Sequence, residues 1–218
     1  MKTQFKPILF STPMVQAILE GRKTQTRRII KPTSKKGCYG IQIERNMQGQ
    51  VTNVVGYDEH ERTWDENGSP YRVNNKYRVD DILWVRETYQ IDYPFSTFCY
   101  KADNVSNILN KWKPSIFMPK EAARIFQKVI NVRVEKLQDI SEEDAIAEGV
   151  LKDVELPVAN FKTRMLYRDY TNKTAGCADA RTSFMTLWKS INGEQSWSDN
   201  PYVWVYEFEK VEKPENFK

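Results

Sequence analysis

The chain has 218 residues, of which 40% are hydrophobic and 12% aromatic, so it can bury a core and is not of disordered composition. Its formal net charge of +4, from 33 basic and 29 acidic residues, is too small to indicate a nucleic-acid-binding protein by itself. No apolar run is long enough to span a membrane, and the N-terminus lacks the apolar segment of a signal peptide. We therefore expect a cytoplasmic protein with no membrane partner.

The cysteine and histidine content argues against a metal centre. The three cysteines, Cys38, Cys99 and Cys177, are far apart in the chain, and the one histidine, His60, lies in a polar segment typical of an exposed loop. A zinc cage needs several sulfur or nitrogen ligands close together, so we expect neither a metal nor another cofactor. Any catalysis must then depend on lysine, threonine, serine, tyrosine or carboxylate side chains.

A short helix near the N-terminus leads into a basic stretch. Thr12 is a suitable N-cap, Pro13 fits the first turn, and Gly21 can end the helix in the left-handed conformation, which predicts a helix over residues 12–20. The stretch EGRKTQTRRIIKP begins at the end of this helix, and TQTRRII within it is predicted to form a strand. This stretch places basic side chains around two threonines, Thr24 and Thr26.

The middle of the chain is dominated by predicted strands. Residues from about 35 to 78 are polar and contain weak strands at 41–44 and 51–55. The pattern of DILWVRETYQI predicts one strand over residues 82–91, and FQKVINVRVEKLQDI predicts another. Between them, SIFMPKEAARIF predicts a strand that leads into a short helical turn begun by proline.

The C-terminal half mixes helices and strands. In ISEEDAIAEGV, Ser141 is the predicted N-cap, Ile140 can pack onto Ala145, and Gly149 ends the helix. A charged insertion over about 151–181 precedes an amphipathic helix in SFMTLWKSINGE and a strand in YVWVYEFEKV. This order predicts an α+β fold, with a curved sheet or barrel and helices packed outside it.

Several segments resemble one known family over nearly the whole chain and in the expected order. They are KPILFSTPMVQAILEGRKTQTRR, DDILWVRETY, WKPSIFMPKEAARI, LQDISEEDAIAEGV, FMTLWKSINGEQSW and NPYVWVYEFE. The chain resembles the ASCH-domain family of the PUA-like superfamily, in its longer phage and prophage form. The family usually has Gly-Asp before LWVRE, where this chain has Asp80-Asp81, and aspartate also tolerates turn conformations.

The resemblance implies a single PUA-like domain over residues 1–218, a small β-barrel with flanking helices and insertions at about 35–78 and 151–181. It implies a cleft that holds the GRKT segment and a link to RNA or modified nucleosides in a bacterial or phage-infected cell. Some small proteins of this family are amidohydrolases that remove acetyl from N4-acetylcytidine with a lysine, a threonine three residues later and a distant glutamate. Carried over by motif, these residues are Lys23, Thr26 and Glu148.

The chemistry of this set is coherent. A threonine hydroxyl needs a base before it attacks a carbonyl, and a lysine serves as the base when burial and nearby positive charge lower its pKa. Glu148 would hold Lys23 and help to protonate the leaving amine. The helix dipole disfavours its negative charge at a helix C-terminus, and a nearby basic side chain would offset that effect. In a regular strand, positions 23 and 26 would face opposite sides, so Lys23 must lie in the turn after the helix or the strand must bulge.

Other functions stay open at this point. A non-catalytic RNA-binding module would place Arg22, Lys23, Arg27 and Arg28 on phosphates, with Thr24 also in contact with the ligand. A ribonuclease, or an accessory protein that contacts a partner through the insertion after Leu151, is a further possibility. At the end of LWVRE, Trp84, Arg86 and Glu87 either contact the ligand in the same cleft or form a salt bridge.

The tryptophans fall into two groups. Those on apolar elements are predicted to pack in the core: Trp84, Trp188 and Trp204. Those in polar surroundings are predicted either to stack on a base or to anchor loops: Trp64, Trp112 and Trp197.

Overall fold

The computed structural model describes residues 3–31, 38–48, 51–64, 67–71, 73, 75–92, 96–104, 111–158, 162–172 and 175–217. Its strands are β1 (Phe5–Leu9), β2 (Gln25–Ile29), β3 (Gly40–Arg45), β4 (Val51–Tyr57), β5 (Ile82–Arg86), β6 (Tyr89–Asp92), β7 (Thr97–Tyr100), β8 (Phe126–Lys136), β9 (Lys152–Val158), β10 (Lys162–Arg168), β11 (Gly176–Cys177) and β12 (Tyr202–Val211). Its helices are α1 (Thr12–Leu19), α2 (Glu142–Ala147), α3 (Ala180–Asn192) and α4 (Gln195–Ser198). The predicted α+β class is confirmed.

One five-stranded sheet organises the molecule. Its strand order is β1-β5-β8-β12-β2, with β1 parallel to β5 and the other neighbours antiparallel. The strands β1 and β2 are therefore the two edges of this sheet. Smaller antiparallel sheets are formed by β3 with β4, by β6 with β7, and by β9, β10 and β11.

The sheet buries apolar side chains on both faces because side chains alternate along each strand. On β12, Tyr206 and Phe208 belong to the core cluster that includes α1, whereas Val203 and Val205 belong to the cluster that includes α2 and α3. This two-sided burial explains the nearly continuous apolar character of YVWVYEFEKV. In the described part of the chain, no helix has the length and apolar character needed to cross a bilayer.

The first helix differs from the prediction at its start. The Val15 N–H donates to the carbonyl oxygen of Ser11 at 2.9 Å, so Ser11, rather than the predicted Thr12, is the N-cap. Gly21 follows the helix with φ of 76°, which confirms the predicted left-handed turn. The turn determines where the basic stretch emerges.

The second helix forms as its start signals predict. The Asp144 N–H donates to Ser141 Oγ at 3.1 Å, and Ile140 and Ala145 are buried in one cluster. Gly149 ends the helix with φ of 90°. A Cβ atom at this position would lie 2.9 Å from the Cβ atoms of both Ala17 and Lys23, so the glycine also allows α2 to approach the end of α1.

The prediction of one strand over residues 82–91 is wrong, because the chain leaves the main sheet after Arg86. The Glu87 N–H donates to Met118 Sδ at 3.1 Å, and the next strand, β6, pairs with β7 instead. The turn before β5 is confirmed: Asp80 has φ of 70°, and the Asp81 N–H donates to the Arg78 carbonyl at 3.1 Å.

Other segments differ in smaller ways. The predicted strand in SIFMPKEAARIF is wrong, since the segment forms two short turns of 3-10 helix, and the turn after Pro119 is confirmed. The helix predicted from Ser183 begins earlier because the Thr182 N–H donates to Asp179 Oδ1 at 2.8 Å. The described part of the 151–181 insertion is the β9-β10-β11 sheet, and the weak strands of the 35–78 segment form the β3–β4 hairpin. Parts of both insertions lie outside the described residues. The sequence did not predict β1, β7, the three strands β9, β10 and β11, or the short helix α4.

Candidate functional site

A cavity of about 540 Å³ lies where the two edges of the main sheet meet the helices. Its lining comes from the end of β1, the start of α1, β2, the end of α2 and the face of α3. The lining residues are Leu9, Phe10, Ser11, Met14, Thr26, Arg27, Arg28, Ile29, Lys31, Thr88, Ser115, Glu148, Phe184, Leu187, Trp188, Ile191 and Asn192. The size is within the usual range for small-molecule sites.

The chain after α1 brings Lys23 to the end of α2. The N–H groups of Arg22 and Lys23 both donate to the carbonyl of Ala17, at 2.9 and 3.0 Å. Lys23 then forms an isolated antiparallel bridge with Glu148, and the Thr24 N–H donates to the Ala147 carbonyl at 2.9 Å. Since β2 begins only at Gln25, Lys23 lies in the turn after the helix, which is the first of the two arrangements that the sequence allowed.

Lys23 and Glu148 form a buried ion pair. Lys23 Nζ lies 2.8 Å from Glu148 Oε2, and their side chains are 0% and 4% exposed. The ammonium also donates to the carbonyl oxygens of Gln25 and Glu148, both at 2.9 Å. Three acceptors match the three N–H bonds of an ammonium group, so the site is built to hold a charged lysine.

Burial lowers the pKa of Lys23 from its ordinary value, and the Glu148 carboxylate opposes this change by favouring the charged form. The positive charges of Arg28 and Arg27 lower it further. Burial and the two arginines thus act in the same direction on the pKa of Lys23, and Glu148 acts against them.

Arg27 lies at the centre of a second set of ion pairs. Its guanidinium is 0% exposed and lies 2.6 Å from Glu135, 2.7 Å from Asp144 and 3.2 Å from Glu148. Burial opposes its charge, but these carboxylates together raise the pKa of Arg27. Arg133 adds a further ion pair to Asp144. Arg27 is thus fully engaged by protein carboxylates and is not free to grip a phosphate.

Of the two threonines in the basic stretch, Thr26 is the one that lines the cavity. It is 3% exposed and lies on β2 opposite Tyr206. No hydrogen-bond partner for its hydroxyl is found among the described residues, which leaves the hydroxyl available to a ligand. Of the set carried over by resemblance, Thr26 and Glu148 line the cavity, while Lys23 lies behind Glu148 and is not part of the lining.

The other basic residues have separate positions. Arg28 lines the cavity, donates from Nη2 to the Leu9 carbonyl at 3.0 Å and lies over the ring of Phe10. Arg22 pairs with Glu20 and donates to a main-chain carbonyl, outside the cavity lining. Thr24 is exposed and also outside the lining.

The residues at the end of LWVRE do not reach the cavity. Trp84 is 8% exposed in a separate aromatic cluster, and the Arg86 guanidinium donates to the Ile116 carbonyl. Glu87 is buried and forms its salt bridge with Arg124 at 2.8 Å, rather than with Arg86. Burial raises the pKa of Glu87, and Arg124 opposes that change. The adjoining Thr88, not these residues, contributes to the cavity wall.

Sequence reasoning missed two parts of the site. Gln25 and Asp144 hydrogen-bond at 2.8 Å, and Asp144 also binds Arg27, so the Asp144 carboxylate connects α2 to β2. Trp188 was predicted as core, and it is buried, but it also lines the cavity together with Phe184. The available sequence signal is the spacing of Phe184 and Trp188, which lie one turn apart on the apolar face of an amphipathic helix.

The remaining tryptophans and the histidine lie elsewhere. Trp84 and Trp204 pack against the apolar clusters as predicted. Trp64 is 59% exposed, Trp112 and Trp197 are half-buried, and none of the three lines this cavity. His60 is exposed, as predicted.

Comparison of the chain with models of known protein families, with curated proteins and with solved structures found no match.

Proposed function

We propose that this protein binds a modified pyrimidine nucleoside, free or within RNA, and hydrolyses an acyl amide on it, with N4-acetylcytidine as the first substrate to test. One observation carries the proposal: Thr26 and Glu148 line the same cavity, and buried Lys23 forms an ion pair with the Glu148 carboxylate at 2.8 Å. A nucleophile and a charged acid–base group thereby share one pocket.

The cost of this arrangement supports a functional role. Two charges buried at this depth lose their hydration, and such a pair contributes little net stability compared with apolar packing. Buried ionisable groups beside a cavity are concentrated at functional sites. A carboxylate held by Lys23 and Arg27 at the cavity wall fits a group that must be charged and fixed in place.

We propose that the fold is the PUA-like barrel implied by the ASCH resemblance, and that the protein works in the cytoplasm. The supporting contact joins the two sheet edges: Arg28 on β2 donates to the Leu9 carbonyl on β1. Arg28 and Lys23 both lie over the ring of Phe10, which follows β1. The gap between the edges is then the cleft in which the ligand binds.

The geometry changes the proposed role of each residue. The family resemblance implies Lys23 as the base, but Glu148 is the member of the pair that lines the cavity. Thr26 Oγ would attack the acetyl carbon while its proton passes to Glu148, with Lys23 as a positioning residue. The bond from N4 to the acetyl carbon breaks, N4 takes the proton from Glu148, and water then hydrolyses the threonine ester to acetate.

The direct test is incubation of the purified protein with N4-acetylcytidine, followed by chromatography for cytidine and acetate. Thr26→Ala should reduce turnover to background, and Glu148→Gln should reduce it by about 10²- to 10⁴-fold. Thr24→Ala is the matched control, because this threonine is exposed and outside the cavity lining. Turnover should persist with a chelator present. Absence of turnover on the nucleoside and on acetylated RNA would reject the hydrolase.

One observation favours a second function, RNA binding without catalysis. Arg28 and Lys31 both line the cavity, and neither has a carboxylate partner among the described residues. Two such cations suit the phosphates of a single strand, and binding through them would weaken with salt, with a slope of about −0.7 per phosphate. Arg28→Ala and Lys31→Ala should each flatten that slope; binding indifferent to salt would exclude this function.

A further inference from the structure

The open edge of β2 forms part of the cavity wall. Within the described residues, β2 pairs with β12 on one side and has no strand on the other. Residues of this strand, including Arg27 and Ile29, line the cavity. An edge strand presents unpaired N–H and C=O groups, and such groups need a partner when they are not in bulk water.

The ladder shows which main-chain groups face that edge. The Phe208 N–H donates to the Thr24 carbonyl at 2.8 Å, and the Ile30 N–H donates to the Tyr202 carbonyl at 3.0 Å. In an antiparallel pair, every second residue exchanges hydrogen bonds with the partner strand. The even-numbered residues of β2 therefore bond to β12, and the N–H and C=O groups of Arg27 and Ile29 point to the free edge.

These groups have no main-chain or side-chain partner among the described residues. The neighbouring group on the same edge is already used, because the Gln25 carbonyl accepts from Lys23 Nζ at 2.9 Å. Within β2, Arg27 and Ile29 are thus the residues whose outward N–H and C=O groups are both without a partner in the described part of the chain. Phe184 and Trp188 line the same cavity and supply apolar surface for a flat ring.

We propose that the main chain of Arg27 and Ile29 reads the hydrogen-bonding edge of a pyrimidine base. A cytosine-type edge places an N–H donor beside acceptors, which complements the adjacent C=O and N–H groups of a strand. An N4-acyl group leaves one N4–H on that edge. Strand addition by a peptide needs a longer run of open main chain than two residues. The inference deepens the proposed function and rests on it only for the choice of a pyrimidine.

The first test needs no variant of the protein. In ¹H–¹⁵N spectra of the intact chain, addition of cytidine should shift the amide signals of both Arg27 and Ile29, and the Ile29 N–H, which follows the Arg27 C=O along the edge and would donate to the base, should move downfield. The amides of Thr26 and Arg28, which bond to β12, should move less. Uridine reverses the donor at position 4 and should bind more weakly, by about threefold to tenfold for the one changed hydrogen bond.

The second test removes one main-chain donor. Ile29→Pro lacks the outward N–H and breaks no bond to β12, and edge strands tolerate proline at such positions. It should weaken cytidine binding by about threefold to tenfold, whereas Ile29→Val, which keeps the N–H, should have little effect. If Ile29→Pro does not fold, replacement of Ile29 by its α-hydroxy acid removes the same N–H with the side chain unchanged.

Each outcome decides the question. Cytidine binding with the Arg27 and Ile29 amides unmoved would overturn the inference, as would absence of binding by cytidine and N4-acetylcytidine up to millimolar concentration. A shift of these amides by an extended peptide but not by nucleosides would assign the edge to peptides and also overturn it. If the amides shift but N4-acetylcytidine is not hydrolysed, this inference stands and only the hydrolase is rejected. If N4-acetylcytidine is hydrolysed but the amides do not move, the hydrolase stands and this inference is rejected.

Discussion

Glu148→Gln is the substitution that most directly tests the buried ion pair. Glutamine has nearly the same shape as glutamate and keeps the end of α2 intact, so the change removes charge with little loss of packing. Lys23 would keep its two carbonyl acceptors but would lose its carboxylate at 2.8 Å. An ammonium with a fully buried side chain would then lack a compensating charge.

The expected cost is about 3–5 kcal/mol of the free energy of unfolding, the usual penalty for removing one member of a buried pair. The double variant Lys23→Met/Glu148→Gln removes both charges together. Arg27 keeps Glu135 and Asp144 in that variant, so no buried charge is left without a partner. We therefore expect the double variant to recover at least half of the loss.

The measurement is equilibrium unfolding in urea at several pH values. The folded protein lowers the pKa of Lys23 below its ordinary 10.5, and loss of Glu148 lowers it further. Between the folded pKa and 10.5, the unfolded chain binds more protons than the folded chain, so the free energy of unfolding rises with pH. The deficit of Glu148→Gln should therefore be greatest at neutral pH and should shrink toward pH 10.

Two results would refute this reasoning. A loss below about 1 kcal/mol for Glu148→Gln would show that the carboxylate does not stabilise a buried ammonium. Equal losses for the single and double variants, with no change between pH 7 and pH 10, would show that the cost comes from packing rather than charge.

Two further predictions concern backbone and pH. Gly149→Ala should lower the free energy of unfolding by about 2–4 kcal/mol, measured by heat or urea, because it adds a close Cβ contact to a strained φ of 90°. The control Gly193→Ala has a similar φ of 92° but open space around the new Cβ, so it should lose only about 1–2 kcal/mol. Equal losses for the two variants would contradict a cost from packing. Burial raises the pKa of Tyr77 to about 12 from 10.0, so the stability it contributes is complete below pH 10 and falls as pH rises. Tyr77 by itself should lower the free energy of unfolding by about 1.4 kcal/mol between pH 8 and pH 11, in addition to the loss that comes from Tyr100, whose pKa is also raised to about 12. Tyr77→Phe should remove only the Tyr77 share; an unchanged slope would show that Tyr77 does not contribute.

The sequence predicted correctly those features that depend on interactions between residues close together in the chain. Ser141 capped α2, Gly21 and Gly149 ended their helices, and the alternating segment of β8 formed a strand, because each depends on neighbours within a few residues. The strand predicted over 82–91 was wrong because contacts with residues distant in the chain end β5 at Arg86. The alternation of apolar and polar residues does not predict that Glu87 bonds to Met118 and Arg124.

The site divides in the same way. The residue types of the GRKT segment, and the resemblance that connected them to Glu148, could be found in the sequence. The sequence alone does not show that Arg27 is neutralised and so is not free for phosphates, because its carboxylate partners come from positions more than a hundred residues away. Such positions meet only when β2, β8 and α2 pack together.

The sequence by itself determined the α+β class, the start of α2 at Ser141, the ends of α1 and α2 at Gly21 and Gly149, and the set of side chains available for chemistry. The tertiary structure alone decided which of them share a cavity: Thr26 and Glu148 at the wall, Lys23 behind them, and Glu87 in a different cluster. The reason is that caps and periodicity act over one or two turns of chain, whereas burial and ion pairing depend on distances in space that only the packed sheet fixes.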